Sequence, residues 1–163
     1  INHCGHFYLT QLLLPLMAPG SRIVVIASRA HFQGRLRFND DGMIDLEYGA
    51  WHWYARYARS KLCNVLFAAE LRRRLQGYGE DITVFAVSPG RIATSIFRHV
   101  QGPPGALIRF LAACTFQSPQ QAASNVVEVI LNGRSEQGLY WHCGQPARAS
   151  TSAQDEALAH QLW

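Results

Sequence analysis

Lys61 is the only lysine among 15 basic residues, the rest being arginine, and it follows Tyr57 by four positions in the run Tyr57-Ala-Arg-Ser-Lys61. A chain that otherwise writes arginine keeps an ammonium where a compact charge on a flexible stem does what a planar guanidinium cannot. On a helix, residues i and i+4 share one face a turn apart. A free phenol ionises only near about pH 10, too high for useful proton transfer at neutrality. An ammonium beside it favours the phenolate and moves the group toward the range of general acid/base catalysis. Ser28 closes the apolar run Arg22-Ile-Val-Val-Ile-Ala-Ser28. A hydroxyl there can donate to a carbonyl oxygen on which negative charge develops. Tyr57, Lys61 and Ser28 are therefore candidates for proton transfer at an oxygen. Tyr54 is a decoy, since Ala58 stands four residues after it; it is expected beside the mouth of the site. His31, just after Ser28, is a candidate for its border.

The elements that must position these residues alternate. Apolar residues from Gly5 to Met17 predict a helix stopped by Ala18-Pro19-Gly20. Residues 22–28 and 81–87 are short β-branched runs of the kind buried on both faces of a parallel sheet. Between them lie a mixed loop over Arg29 to Gly49 and a long helix from Trp51 to Leu75. The second strand ends at Ser88-Pro89-Gly90, a loop at a strand's carboxyl end, where open α/β sheets hold ligands. The apolar segment 106–114 predicts a short helix. Ser118-Pro119-Gln-Gln121 opens a capped helix ending at Gly133, with a reciprocal capping glutamine. A third strand over 138–142 and a capped helix from Ser152 to Trp163 complete the order. That order predicts a doubly wound parallel sheet with helices on both faces. Three strands without a G-x-G-x-x-G turn predict only part of one. Its first strand would have an open, association-prone edge.

Composition excludes several classes. At 48% hydrophobic and 16% charged residues, the chain reads as one globular domain. The net charge of +4 comes with neither a basic face interleaved with aromatics nor a binding motif, so no nucleic-acid partner is expected. Arg72-Arg73-Arg74 is read as a favourable cap on a helix C-terminus. Cys4, Cys63, Cys114 and Cys143 are too dispersed for a disulfide framework, which predicts reduced thiols and a reducing compartment, cytoplasmic or at a membrane facing one. His3, Cys4 and His6 would diverge around a helix, so no metal is expected.

In these motifs the chain resembles the short-chain dehydrogenase/reductase family. Its tetrad of Asn, Ser, Tyr and Lys matches Asn2, Ser28, Tyr57 and Lys61 in order, and its Pro-Gly turn with a later Thr matches Pro89-Gly90-Arg-Ile-Ala-Thr94. The wording Ser60-Lys-Leu-Cys-Asn-Val-Leu-Phe and Glu70-Leu-Arg-Arg-Arg-Leu is similar to the retinol-dehydrogenase-like branch and to the oxidoreductase domain of the WW-domain-containing oxidoreductase. The resemblance implies residues 1–163 are one incomplete domain: the C-terminal, active-site half of a Rossmann-like doubly wound α/β fold, lacking the nucleotide-phosphate-binding half. It implies NAD or NADP as cofactor and interconversion of an alcohol and a carbonyl on a small lipophilic substrate. Tyr57 would be the general acid/base. Lys61 would hold the nicotinamide ribose, Asn2 a water linked to Lys61, and Pro89, Gly90 and Thr94 the carboxamide. Ser28 and Tyr57 would contact the substrate, as would His31 at the pocket's border. It further implies a homodimer, with any membrane association through a preceding segment. Alternatives in view are an interaction scaffold built on such a domain and nucleotide-sugar epimerase or dehydratase chemistry.

Overall fold

The computed structural model describes residues 2–47, 53–92 and 116–163. Helices α1 (Cys4–Leu13) and α2 (Trp53–Gly77) flank strand β1 (Ser21–Ile26), and strand β2 (Ile82–Ser88) follows. Helix α3 (Pro119–Asn132), strands β3 (Tyr140–His142) and β4 (Gln145–Pro146) and helix α4 (Glu156–Leu162) complete the described elements. The predicted helix over 106–114 lies outside the described residues. The sheet order is β1-β2-β3-β4. The first three strands are parallel and β4 is an antiparallel turn back from β3. This is an open, mostly parallel α/β sheet, consistent with part of a Rossmann-like domain.

The period-2 alternation of strand side chains divides the core. Val84 and Ala86 point to one face, where they join Val25, Leu62, Leu66, Phe67 and Leu71. Phe85 and Val87 point to the other and meet Val129 of α3 and Trp141. Because β2 is buried on both faces, its sequence is a continuous apolar run rather than an alternating one. The predicted 29–49 loop contains a 3-10 helix over Arg29–Gln33 and a Phe38–Ile44 bridge.

Three local expectations are corrected. Ser118 caps α3 by accepting the Gln121 N–H, but the Gln121 amide turns to Asn125 instead of reciprocating. The last α-helix is capped by Asp155, after a 3-10 turn at Ser152–Gln154. The arginine run is not a simple helix cap: Arg73 and Arg74 bind the buried Glu70 carboxylate, and Arg72 donates to the Ser135 carbonyl.

Gly34 shows how closely the loop after β1 lies on α2. A Cβ at Gly34 would stand 2.7 Å from the Ala58 carbonyl oxygen and 2.8 Å from Leu62 Cβ. Its φ of −68° suits any residue, so space alone demands glycine. Gly34→Ala is expected to cost about 1–3 kcal/mol by overpacking. In urea, the unfolding midpoint should fall with an unchanged slope.

Candidate active site

Parallel pairing brings the proposed chemistry to one end of the sheet. Ile26 lies opposite Val87, and the Ala27 N–H donates to the Val87 carbonyl at 2.8 Å. The chain therefore leaves β1 at Ser28 level with Ser88, Pro89 and Gly90 leaving β2. β3 ends at the same level, where His142 pairs with Ser88 and the Cys143 N–H donates to the Ser88 carbonyl at 3.0 Å.

Lys61 reaches this end from α2. Its Nζ donates to the Ile26 carbonyl at 2.9 Å and lies 5.8 Å from the centroid of the Tyr57 ring. Lys61 is 9% exposed, and burial pushes its ammonium below the ordinary lysine range. The half-buried Tyr57 ring lies 6.4 Å from that of Tyr54, and exposed Trp53 stands edge-on to Tyr54. Ser28 caps the following 3-10 helix by accepting the Ala30 N–H at 3.2 Å, which leaves its own hydroxyl proton to donate. Asn2 is exposed and donates to Ser60 Oγ at 3.3 Å, and Ser60 in turn donates to the Tyr57 carbonyl at 2.7 Å. Asn2 is thus tied to the helical turn between Tyr57 and Lys61.

His31 is placed differently from a pocket-lining residue. It is completely buried, and burial lowers its pKa below the usual histidine value. Its Nε2 accepts the Ser150 N–H at 3.1 Å, which leaves the ring proton on Nδ1 to be donated to the Ser28 carbonyl at 2.7 Å. Both nitrogens are committed, and the ring joins the Ser28 turn to the C-terminal segment.

The Pro89-Gly90 turn rests on residues that sequence reasoning missed. Asn125 donates to the Pro89 carbonyl at 3.2 Å and to Gln117 Oε1 at 2.9 Å, and Gln117 Nε2 approaches Cys143 Sγ at 3.3 Å. Gly90 has φ +107°, and a Cβ there would come within 2.8 Å of Cys143 Sγ. Glycine is required by torsion and by space. Thr94 lies outside the described residues. Asn64 was also missed, although an amide in the apolar run Leu62 to Phe67 was a visible signal. Gln117, Asn125 and Ser150 gave none, because only folding brings them here. Among the described residues no His, Cys, Asp and Glu group is placed to hold a metal ion.

The open α/β sheet thus carries a serine after one strand and, on α2, a tyrosine-lysine pair whose lysine binds the same strand end. No family model matches the chain. Individual relatives do, and the chain is homologous over its whole length to the short-chain dehydrogenase/reductase family. It is 39% identical over 170 residues to dehydrogenase/reductase SDR family member 13 of Bos taurus, covering 100% of this chain and 44% of that protein. Retinol dehydrogenase 14 of Mus musculus is 35% identical, with 100% of this chain and 49% of the relative covered. Polyprenol dehydrogenase of Danio rerio is 33% identical, with coverage of 100% and 52%. The chain thus spans about half the length of the curated relatives it matches. A crystal structure of an uncharacterized protein from Mycobacterium Paratuberculosis superposes with a TM-score of 0.58 at 28% identity, over 99% of this chain and 54% of that one.

Proposed function

We propose that this chain is the active-site part of an NAD- or NADP-dependent oxidoreductase that interconverts an alcohol and its carbonyl, with Tyr57 as general acid/base. The buried Lys61 ammonium, fixed to the Ile26 carbonyl beside the Tyr57 ring, carries the reading. In oxidation, Tyr57 takes the substrate hydroxyl proton; in reduction, it returns one to the carbonyl oxygen. Ser28 donates to that oxygen and holds it toward Tyr57.

The described residues fit the nicotinamide-riboside end of such a cofactor. Pro89, Gly90 and Thr94 would hold the carboxamide, from a turn that leaves β2 at the same end of the sheet as Ser28 and Lys61. Lys61 and Tyr57 would hold the ribose, and Asn2 would support them through Ser60. When bound, the cofactor supplies or accepts the hydride. Lys61→Ala is expected to weaken cofactor binding by about tenfold or more as one charge-assisted hydrogen bond is lost. Calorimetric titration of the full-length protein with NAD and NADP checks this, and unchanged affinity for both would sink the ribose role.

Trp53 and Tyr54 beside Tyr57 favour a lipophilic substrate. The names of the retinol and polyprenol dehydrogenases point the same way. Among the described residues no helix is long and apolar enough to cross a membrane. A homodimer is supported by α1 and the turn after it, where Tyr8, Leu9, Leu12, Leu13 and Leu16 are exposed. Sedimentation equilibrium of the full-length protein is expected to give twice the chain mass, and Leu9→Glu with Leu12→Glu to halve it.

A further inference from the structure

The end of the sheet that carries the Tyr57–Lys61 pair also carries a cation that the proposed reaction does not use. Arg29 directly follows Ser28, opens the 3-10 helix over Arg29–Gln33 and is exposed. Among the described residues, the ion pairs join Arg37, Arg73 and Arg74 to carboxylates and leave Arg29 without one. The stretches that leave the strands here, 27–33, 88–92 and 142–147, hold no acidic residue, and neither does the first half of α2, 53–65. Glu80 and Asp81 stand at the opposite end, where β2 begins. No carboxylate of these elements is therefore at hand to neutralise Arg29.

The charge reaches across the strand ends. Burial first, and the Arg29 guanidinium after it, keep His142 below the ordinary histidine pKa; in Tyr140 burial raises the phenol and Arg29 acts against it. Both residues lie on β3, two strands from β1, and neighbouring strands are about 4.8 Å apart. A charge that sets out from β1 and is felt on β3 lies over the carboxyl end of β2, beside Ser88 and Pro89. The other polar groups here are committed. His142 Nδ1 is 3.2 Å from Ser88 Oγ and its Nε2 3.5 Å from Cys143 Sγ, while Lys61 holds the Ile26 carbonyl. Arg29 is the uncommitted cation next to the serine that receives the reacting oxygen.

We propose that Arg29 binds an anionic group of the substrate, which makes that substrate an amphiphilic hydroxy acid or oxo acid. Its reacting carbon lies at Ser28 and Tyr57, its carboxylate on Arg29 and its apolar remainder along Trp53 and Tyr54. The inference rests on the reading of Ser28 and Tyr57 as the groups that hold the reacting oxygen. Consecutive Cα atoms stand about 3.8 Å apart, so an oxygen on Ser28 and a carboxylate on Arg29 belong to one molecule, a few carbons from each other. A guanidinium takes a carboxylate through two parallel N–H bonds, which fixes orientation as well as affinity. The carboxylate stays ionised throughout, so Arg29 selects the substrate and has no part in proton transfer.

The test uses the full-length protein and α-, β- and γ-hydroxydecanoate, each beside its methyl ester. In at least one pair, kcat/KM for the acid is expected to exceed that for the ester by about tenfold or more. Arg29→Gln should lower the acid's value by about tenfold or more and keep the ester's within about twofold. Arg29→Glu should reverse the preference, and added salt should narrow it in the unaltered protein. Because Arg29 is exposed, these variants are expected to melt with the parent. Calorimetric titration with NAD and NADP should give the same affinities for the parent and Arg29→Gln. A cofactor affinity that falls in Arg29→Gln while the acid preference persists would assign the charge to a cofactor phosphate and overturn the inference. Equal values for acid and ester in every pair, or an equal loss on both in Arg29→Gln, would overturn it too, and turnover of the esters would leave the oxidoreductase reading standing. Acids that bind in titration, bind more weakly to Arg29→Gln and are never turned over would sink the oxidoreductase reading and leave the anion site in place.

Discussion

Tyr57→Phe is expected to reduce turnover of the full-length protein by about 10²- to 10⁴-fold while the protein stays folded, because only the proton-transferring oxygen is removed. The ring's approach to Tyr54 at 6.4 Å and to Lys61 at 5.8 Å survives the substitution. So do the Lys61 bond to Ile26 and the Ser60 bond to the Tyr57 carbonyl, since neither uses the phenol oxygen. Tyr54 cannot take over, because its own i+4 neighbour is Ala58 rather than a cation. The measurement is steady-state kcat with the nicotinamide cofactor saturating, alongside thermal melts. A variant within tenfold of the parent rate would remove Tyr57 from the chemistry.

The largest stability effect is expected at Glu70. Its carboxylate is 1% exposed and accepts from Arg73 at 2.7 and 2.8 Å and from Arg74 at 2.7 Å, with His160 Nδ1 at 3.2 Å. Arg74 also lies 4.4 Å over the Trp163 ring, and Trp163 stacks on Phe67 of the core. Glu70 therefore ties α4 and the chain's last residue to α2. Breaking a buried pair by removing one partner costs about 3–5 kcal/mol. Glu70→Ala is expected near the lower end of that range, because Arg73 is 54% exposed and can regain water. Urea unfolding reads the loss directly.

The same carboxylate makes stability depend on acid. Arg73 foremost, with Arg74 and His160 adding to it against burial, holds Glu70 at about 2, below the ordinary 4.5. A depressed folded pKa contributes stability that is complete above the unfolded value and lost as pH falls through the folded one. The unfolding midpoint should therefore drop between about pH 5 and pH 2, and more steeply than in Glu70→Gln. Parallel curves for the two proteins would contradict this.

The arginine run illustrates why Glu70 escaped the sequence. Local spacing presents Arg72, Arg73 and Arg74 as basic groups at a helix end, where a favourable dipole interaction is the natural reading. Yet Glu70 stands at i−3 and i−4 to Arg73 and Arg74 on the same helix, and docking of α4 adds His160 to that carboxylate. His31 has the same history. Its position after Ser28 places it near the site, but the Ser150 N–H that occupies Nε2 comes from 119 residues away. β2 was legible because a strand buried on both faces needs an uninterrupted apolar run. β1 was legible by its β-branched residues, although it is not buried on both faces as expected, since Arg22 and Ile26 are exposed. β4 was not, since its two residues pair only by virtue of the turn at Cys143-Gly144.

By itself the sequence determined the α/β order, the Tyr57–Lys61 pairing on one helix face, Ser28 at a strand end and the likeness to short-chain dehydrogenases/reductases. Those features depend on periodicity and on spacings of a few residues, which the local backbone enforces. Tertiary structure alone decided that Lys61 is buried on the Ile26 carbonyl, that Asn64 shares that oxygen, and that Gln117, Asn125 and Cys143 support the Pro89-Gly90 turn. Apart from the bond between Asn125 and Gln117, each of these contacts closes a long loop of chain, and its partner is chosen by sheet register and helix docking rather than by any neighbour in sequence.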